Sequence, residues 1–116
     1  MSETGRIHGR TFKGHPSEAA AVRAWARQHT PHPDAPLIAH ELYIALLGAG
    51  TDPIEMRVAV IEDRLRITAT GTGAATDPLP VRHSHGPGWR IIHGLTHTNG
   101  VTIDERGLWA QLGGLS

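Results

Sequence analysis

The pattern of apolar and polar positions changes period along the chain. Ile54, Met56, Val58 and Val60 alternate with Glu55, Arg57 and Ala59, and Leu65, Ile67 and Ala69 alternate with Arg66, Thr68 and Thr70. Period two puts successive side chains on opposite faces of a strand. Glu62-Asp63-Arg64 between the runs makes a tight turn, so the segment predicts a β-hairpin with one buried face. Upstream the period lengthens. Val22, Trp25 and His29 recur at i, i+3, i+7 and predict a helix over Glu18–Gln28, capped by Ser17 and ended by Thr30-Pro31-His32-Pro33. A second helix is expected over Leu37–Leu47, with Asp34 as its cap, Pro36 in its first turn and Gly48 at its end. That helix is apolar on nearly every side, which predicts burial, and His40 and Glu41 are its only strongly polar side chains. A buried carboxylate needs a partner or a cavity, whereas one on an exposed edge needs neither. Residues 1–10 are polar and expected to be loose, with a short edge strand over Arg10–Lys13 before Gly14-His15-Pro16.

The second half reads differently. Gly71 to Pro87 is rich in Gly, Pro, Thr and His, and a loop of this length in a compact domain is usually functional or disordered. Gly86 and Gly88 then lead into a third predicted helix, with Trp89, Ile91, Ile92 and Leu95 as its apolar positions, running to His97 before Asn99-Gly100 breaks the chain. A glycine loop opening a helix exposes unpaired N–H groups at the positive end of the helix dipole, which suits a phosphate. Gly-x-Gly alone serves an ordinary turn equally well. Val101–Ile103 and Leu108–Leu112 form a second predicted hairpin. The order strand, helix, helix, hairpin, loop, helix, hairpin predicts an α/β fold. Its most economical form is a two-layer sandwich, a mostly antiparallel sheet covered on one face by three helices, in a single domain over residues 11–116.

This layout resembles the histidine-kinase-like ATPase fold and is most similar to the small anti-sigma-factor serine kinases of actinobacteria. The resemblance runs from Phe12 to Leu112 and rests on the order and spacing of Ser17–Arg27, Glu41-Leu42, Leu65–Thr70, Gly86–Ile92 and Leu108–Leu112. It implies that Glu41 holds the place of the family's catalytic base. The family's Mg²⁺-binding Asn, four residues on, is Ala45 here, and a methyl group cannot ligate a cation that wants oxygen. The family's adenine-reading Asp is replaced by Gly71, while Gly73 and the phosphate-closing pair Gly86 and Gly88 remain. Losing a charge-assisted hydrogen bond to the base costs roughly 1.5–3 kcal/mol, and losing the metal ligand removes charge neutralisation that phosphoryl transfer needs. The resemblance therefore implies a degenerate member, a cytoplasmic regulator with weak or lost ATP and Mg²⁺ binding. It would act by gripping a protein, a sigma factor or an anti-sigma antagonist, as a homodimer, with Trp89 available to an interface. Two rivals stand beside it. One is an active ATP-binding serine kinase in which Thr68, Thr70 or Asp77 replaces the lost contacts. The other is a binding module for a different, more apolar ligand in the emptied pocket.

Composition removes several further classes. The chain has 116 residues, no Cys and zero formal net charge. Disulfides, thiolate nucleophiles and cysteine zinc sites are excluded, and nothing predicts broad attraction to nucleic acid or to an anionic membrane. No apolar run reaches the length of a membrane span, and the opening Met1–Gly5 is too polar for a signal peptide. Nine His raise a zinc reading, with His93 and His97 at i, i+4 and His83 and His85 upstream, but no carboxylate stands at a recognised spacing and no metal site is expected. His40-Glu41 lacks the later His of a metalloprotease helix, Ile44 standing there, and Ser84 lacks an acidic orienter. Arg82 and Arg90 flank the glycine pair, as solvated charges or as partners of an anion. Trp25 and Trp109 are expected in the core or at an interface.

Overall fold

The computed structural model describes residues 5–48, 50–71, 98–101 and 107–112. Its elements are β1 (Gly5–Phe12), a 3-10 turn (Pro16–Glu18), α1 (Ala19–His29), α2 (Ala35–Gly48), β2 (Ile54–Ile61), β3 (Arg64–Gly71), β4 (Thr98–Val101) and β5 (Gly107–Leu112). The strands form one five-stranded sheet in the order β1-β2-β3-β5-β4, every neighbouring pair antiparallel. The described fold is thus α/β, an antiparallel sheet with two helices. The segment expected to form the third helix, with Trp89, lies outside the described residues.

The period-two runs do what their spacing predicts. β2 and β3 pair from Ile54 opposite Gly71 to Ile61 opposite Arg64, around a two-residue loop in which Glu62 takes a positive φ of 59°. Ile54, Met56, Val58, Leu65, Ile67 and Ala69 are fully buried on one face, joined there by Leu108, Ala110 and Leu112 of β5. Against that face pack Val22, Trp25 and Ala26 of α1 and Ile38, Leu42 and Leu46 of α2, in one continuous cluster. Burying each large aliphatic side chain contributes about 1.5–3 kcal/mol, so this cluster is the main source of stability. The opposite face carries Arg57, Arg66, Trp109 and Gln111, exposed or half-buried. There the Arg66 guanidinium lies 4.1 Å from the centre of the Trp109 ring.

Three elements differ from expectation. The first strand begins at Gly5, so residues 5–10 are sheet and not loose. Its apolar residues Ile7 and Phe12 lie on opposite faces, and its place is held by the main-chain ladder to β2, which leaves no hydrophobic period to read. Ser17 does not cap α1. It sits within the 3-10 turn, and the His15 ring accepts the Ser17 N–H at 3.1 Å as that turn's cap. Asn99 and Gly100 do not break the chain but belong to β4, where Gly100 pairs with Trp109. A Cβ at Gly100 would lie 3.1 Å from the indole, so glycine makes room for the large ring.

Tyr43 ties the helical layer to the end of β1. Its hydroxyl donates toward the Lys13 carbonyl, has the His15 carbonyl at 3.0 Å, and accepts the His15 N–H at 3.2 Å. Beside it the Gly14 N–H donates to Asp52 Oδ1 at 2.8 Å, and a Cβ at Gly14 would collide with the Thr51 carbonyl. Desolvation by burial, opposed by the His15 bond and helped by Glu18 and Asp52, holds the Tyr43 hydroxyl above its usual pKa. Tyr43→Phe removes the donor to the part-buried Lys13 and His15 carbonyls and is expected to cost about 0.5–1.5 kcal/mol in denaturant unfolding. Tyr43 is the chain's one tyrosine, so ultraviolet titration of the folded protein reads this group alone and should give a midpoint above 10. A raised acid pKa means that the folded state holds its proton longer than the unfolded chain. Its stabilisation is present below the ordinary tyrosine value and is lost as pH rises through the folded one, and Tyr43→Phe should remove that alkaline loss.

Candidate functional site

The sheet sets how α2 is turned. Ile38, Leu42 and Leu46 face the sheet at i, i+4, i+8 and are fully buried. The opposite side carries Leu37, Glu41, Ile44 and Gly48, where Leu37 is 40% exposed, Glu41 and Ile44 are half-buried and Gly48 is exposed. The burial expected of a helix apolar on nearly every side therefore holds for the face turned to the sheet and α1, and Glu41 lies on a partly exposed strip.

Glu41 does not stand alone on it. One nitrogen of the Arg23 guanidinium lies 2.8 Å from His40 Nδ1. Arginine only donates, so Nδ1 is the acceptor and the neutral ring carries its proton on Nε2. Nε2 lies 3.9 Å from Glu41 Oε2, with side-chain exposures of 23% for His40 and 15% for Glu41. That separation is an electrostatic contact rather than a hydrogen bond. Cation, imidazole and carboxylate thus form a line from α1 to α2. The line fixes the ring's orientation and presents a positive ring edge to Glu41.

Ala45 lies one turn beyond Glu41, half-buried, and packs against the core. The helix ends at Gly48, and the Gly50 and Thr51 N–H groups bond back to the Leu47 and Leu46 carbonyls before β2 begins at Ile54. Ile54 pairs with Gly71, the buried last residue of β3. The C-terminal turn of α2 and the end of β3 therefore occupy the same end of the sheet, with Ala45 on one element and Gly71 on the other. Neither brings a polar side chain there. Gly73, Asp77, Arg82, Ser84, Gly86, Gly88 and Arg90 lie outside the described residues. Thr68 and Thr70 do not share a face with the buried side of β3. They register with Trp109 and Gly107 on the face of the sheet turned away from α2.

The described histidines have structural work. His8 stacks on His29 at 4.2 Å, His15 caps the 3-10 turn, His32 accepts the Asp34 N–H at 3.1 Å ahead of α2, and His40 joins Arg23 to Glu41. Among the described residues no group of three His, Asp or Glu is placed to hold a metal ion, while His83, His85, His93 and His97 lie outside them. Trp25 is a core residue, edge-on to Phe12 at 5.9 Å. The contact between Arg23 and His40 went unread in the sequence because it joins two helices, and no single periodicity spans both.

The line from Arg23 to Glu41 has a spectroscopic consequence. Nitrogen-15 NMR of His40 at neutral pH should show Nε2 protonated and Nδ1 bare, and Arg23→Ala should shift the ring toward a mixture of tautomers.

Compared with known proteins, the chain matches no family model, and no curated protein matches it.

Proposed function

We propose that this chain is a cytoplasmic regulator with the histidine-kinase-like ATPase fold that acts by binding another protein, its nucleotide chemistry lost. The supporting layout is the succession β1, α1, α2, β2, β3, then β4 and β5, with the helices against one face of an antiparallel sheet. In this reading the chain is a two-layer sandwich with its third helix ahead of β4, and the partner is a sigma factor or its antagonist, gripped by a homodimer.

The observation that carries the proposal is that Ala45, in the later turns of α2, and Gly71, at the end of β3, bring no polar side chain to that end of the fold, with Glu41 one turn before Ala45. The resemblance puts an amide oxygen for Mg²⁺ at the first position and a carboxylate for the adenine amino group at the second. A methyl and a hydrogen supply neither. Mg²⁺ holds few protein ligands and demands oxygen, so one missing donor weighs heavily. The absent hydrogen bond to the base adds about 1.5–3 kcal/mol, or more than tenfold in affinity. Glu41 persists in this reading as a structural acid, held by His40 and turned out of the core.

Calorimetric titration with ATP and Mg²⁺ tests the reading. Little or no heat is expected even at millimolar nucleotide, and the double variant Ala45→Asn, Gly71→Asp should regain Mg²⁺-dependent binding. Micromolar affinity in the native chain, or phosphate transfer to an antagonist protein, would overturn it.

A further inference from the structure

β1 lies at one edge of the sheet and pairs only with β2 among the described strands. Its other side presents the main-chain N–H and C=O groups of an eight-residue strand, a template for a further strand. The register with β2 sorts its side chains into two rows. Arg6, His8 and Arg10 lie on the face shared with Val60, Val58 and Met56, whereas Ile7, Gly9 and Thr11 lie on the other. Arg6 and Arg10 are exposed, and Ile7 is 67% exposed, the most open large apolar side chain described. Arg10 is held with its guanidinium 4.8 Å from the Phe12 ring centre, and His8 by its stack on His29. From Gly5 through His15 there is no acidic residue, although the whole chain has net charge zero. Glu55, the acid facing Thr11 across the ladder, is engaged by Arg57 at 3.4 Å.

We propose that this edge receives an extended segment of a partner protein as an added strand, and that the segment alternates acidic and apolar residues. Main-chain hydrogen bonds give the affinity and the alternating side chains give the specificity, the usual division in strand addition. The acidic row falls beside Arg6, His8 and Arg10, and an apolar residue covers Ile7. A second copy of β1 is a poor occupant. Antiparallel self-pairing with matched faces and centred on His8 sets Arg6 opposite Arg10 at both ends, and like charges directly opposed are destabilising. The inference does not depend on the family reading or on whether nucleotide binds.

The test is NMR titration of the full chain with a blocked peptide, Glu-Val-Glu-Val-Glu-Val-Glu, and with its Lys-Val counterpart. The acidic peptide is expected to bind and to shift the backbone amides of residues 6–11, and added salt should weaken it. The double variant Arg6→Glu, Arg10→Glu, verified as folded by circular dichroism, should lose about tenfold or more in affinity for the acidic peptide and gain affinity for the basic one. The proposal fails if the two peptides bind the native chain alike, if the shifts map away from β1, or if charge reversal leaves the preference unchanged. It also fails if these amides instead shift with protein concentration as the mass doubles, which would assign the edge to a second copy.

Discussion

One carboxylate decides how the helical layer sits on the sheet. α2 is apolar around most of its circumference, so hydrophobic burial alone permits several rotations. Turning it by one residue would exchange Leu42 for Glu41 against the sheet. The leucine exchange costs about 1.5–3 kcal/mol, whereas an ionised carboxylate buried without a partner costs several kcal/mol more. Glu41 therefore stays on the outer strip, Ile38, Leu42 and Leu46 are buried, and Tyr43 is aimed at the segment just after β1. The placement of Ala45 relative to the end of β3 follows from the same rotation.

Two sorts of force hold α1 to this arrangement, and they do different things. Val22, Trp25 and Ala26 are buried against the core, and their burial supplies most of the energy. The contact from Arg23 to His40 is half-exposed and contributes less, but it is directional and picks the imidazole tautomer. At the other end of α1, the Gly14 link to Asp52 and the Tyr43 hydroxyl join the loop after β1 to the loop before β2. The edge strand is thereby anchored at its C-terminal end by side chains from two other elements, while its outer row stays open.

What could be read in the chain was what has a period. The β2–β3 hairpin was legible because Ile54 through Ala69 alternate about a short turn, and α2 because Pro36 and Gly48 bracket a helical run. β1 was not legible over Gly5–Arg10: an edge strand with basic residues on one row and a single isoleucine on the other has no apolar period, and its ladder to β2 is main chain. The start of β4 is hidden in the sequence because Asn99-Gly100 carries a turn signal, whereas the glycine there serves a ring on the neighbouring strand. Glu41 stands out in the sequence as a carboxylate on an apolar helix, whereas Ala45 and Gly71 stand out only through the family resemblance. The Arg23 and His40 contact was invisible because α1 and α2 meet at an angle that only the folded core defines.

Gly100 beneath Trp109 has a meaning beyond local fit. β4 is a four-residue edge strand, and a pairing that short has few ladder bonds to hold it in step. The indole lies over the one residue of that strand without a side chain. Slipping the strand two places, which would keep its faces matched, would bring a residue with a Cβ under the ring. The ring thus favours the present alignment over one that crowds it, and Arg66 on β3 rests against it. Three adjacent strands are indexed to one another at this point, on the side of the sheet that the described helices do not cover.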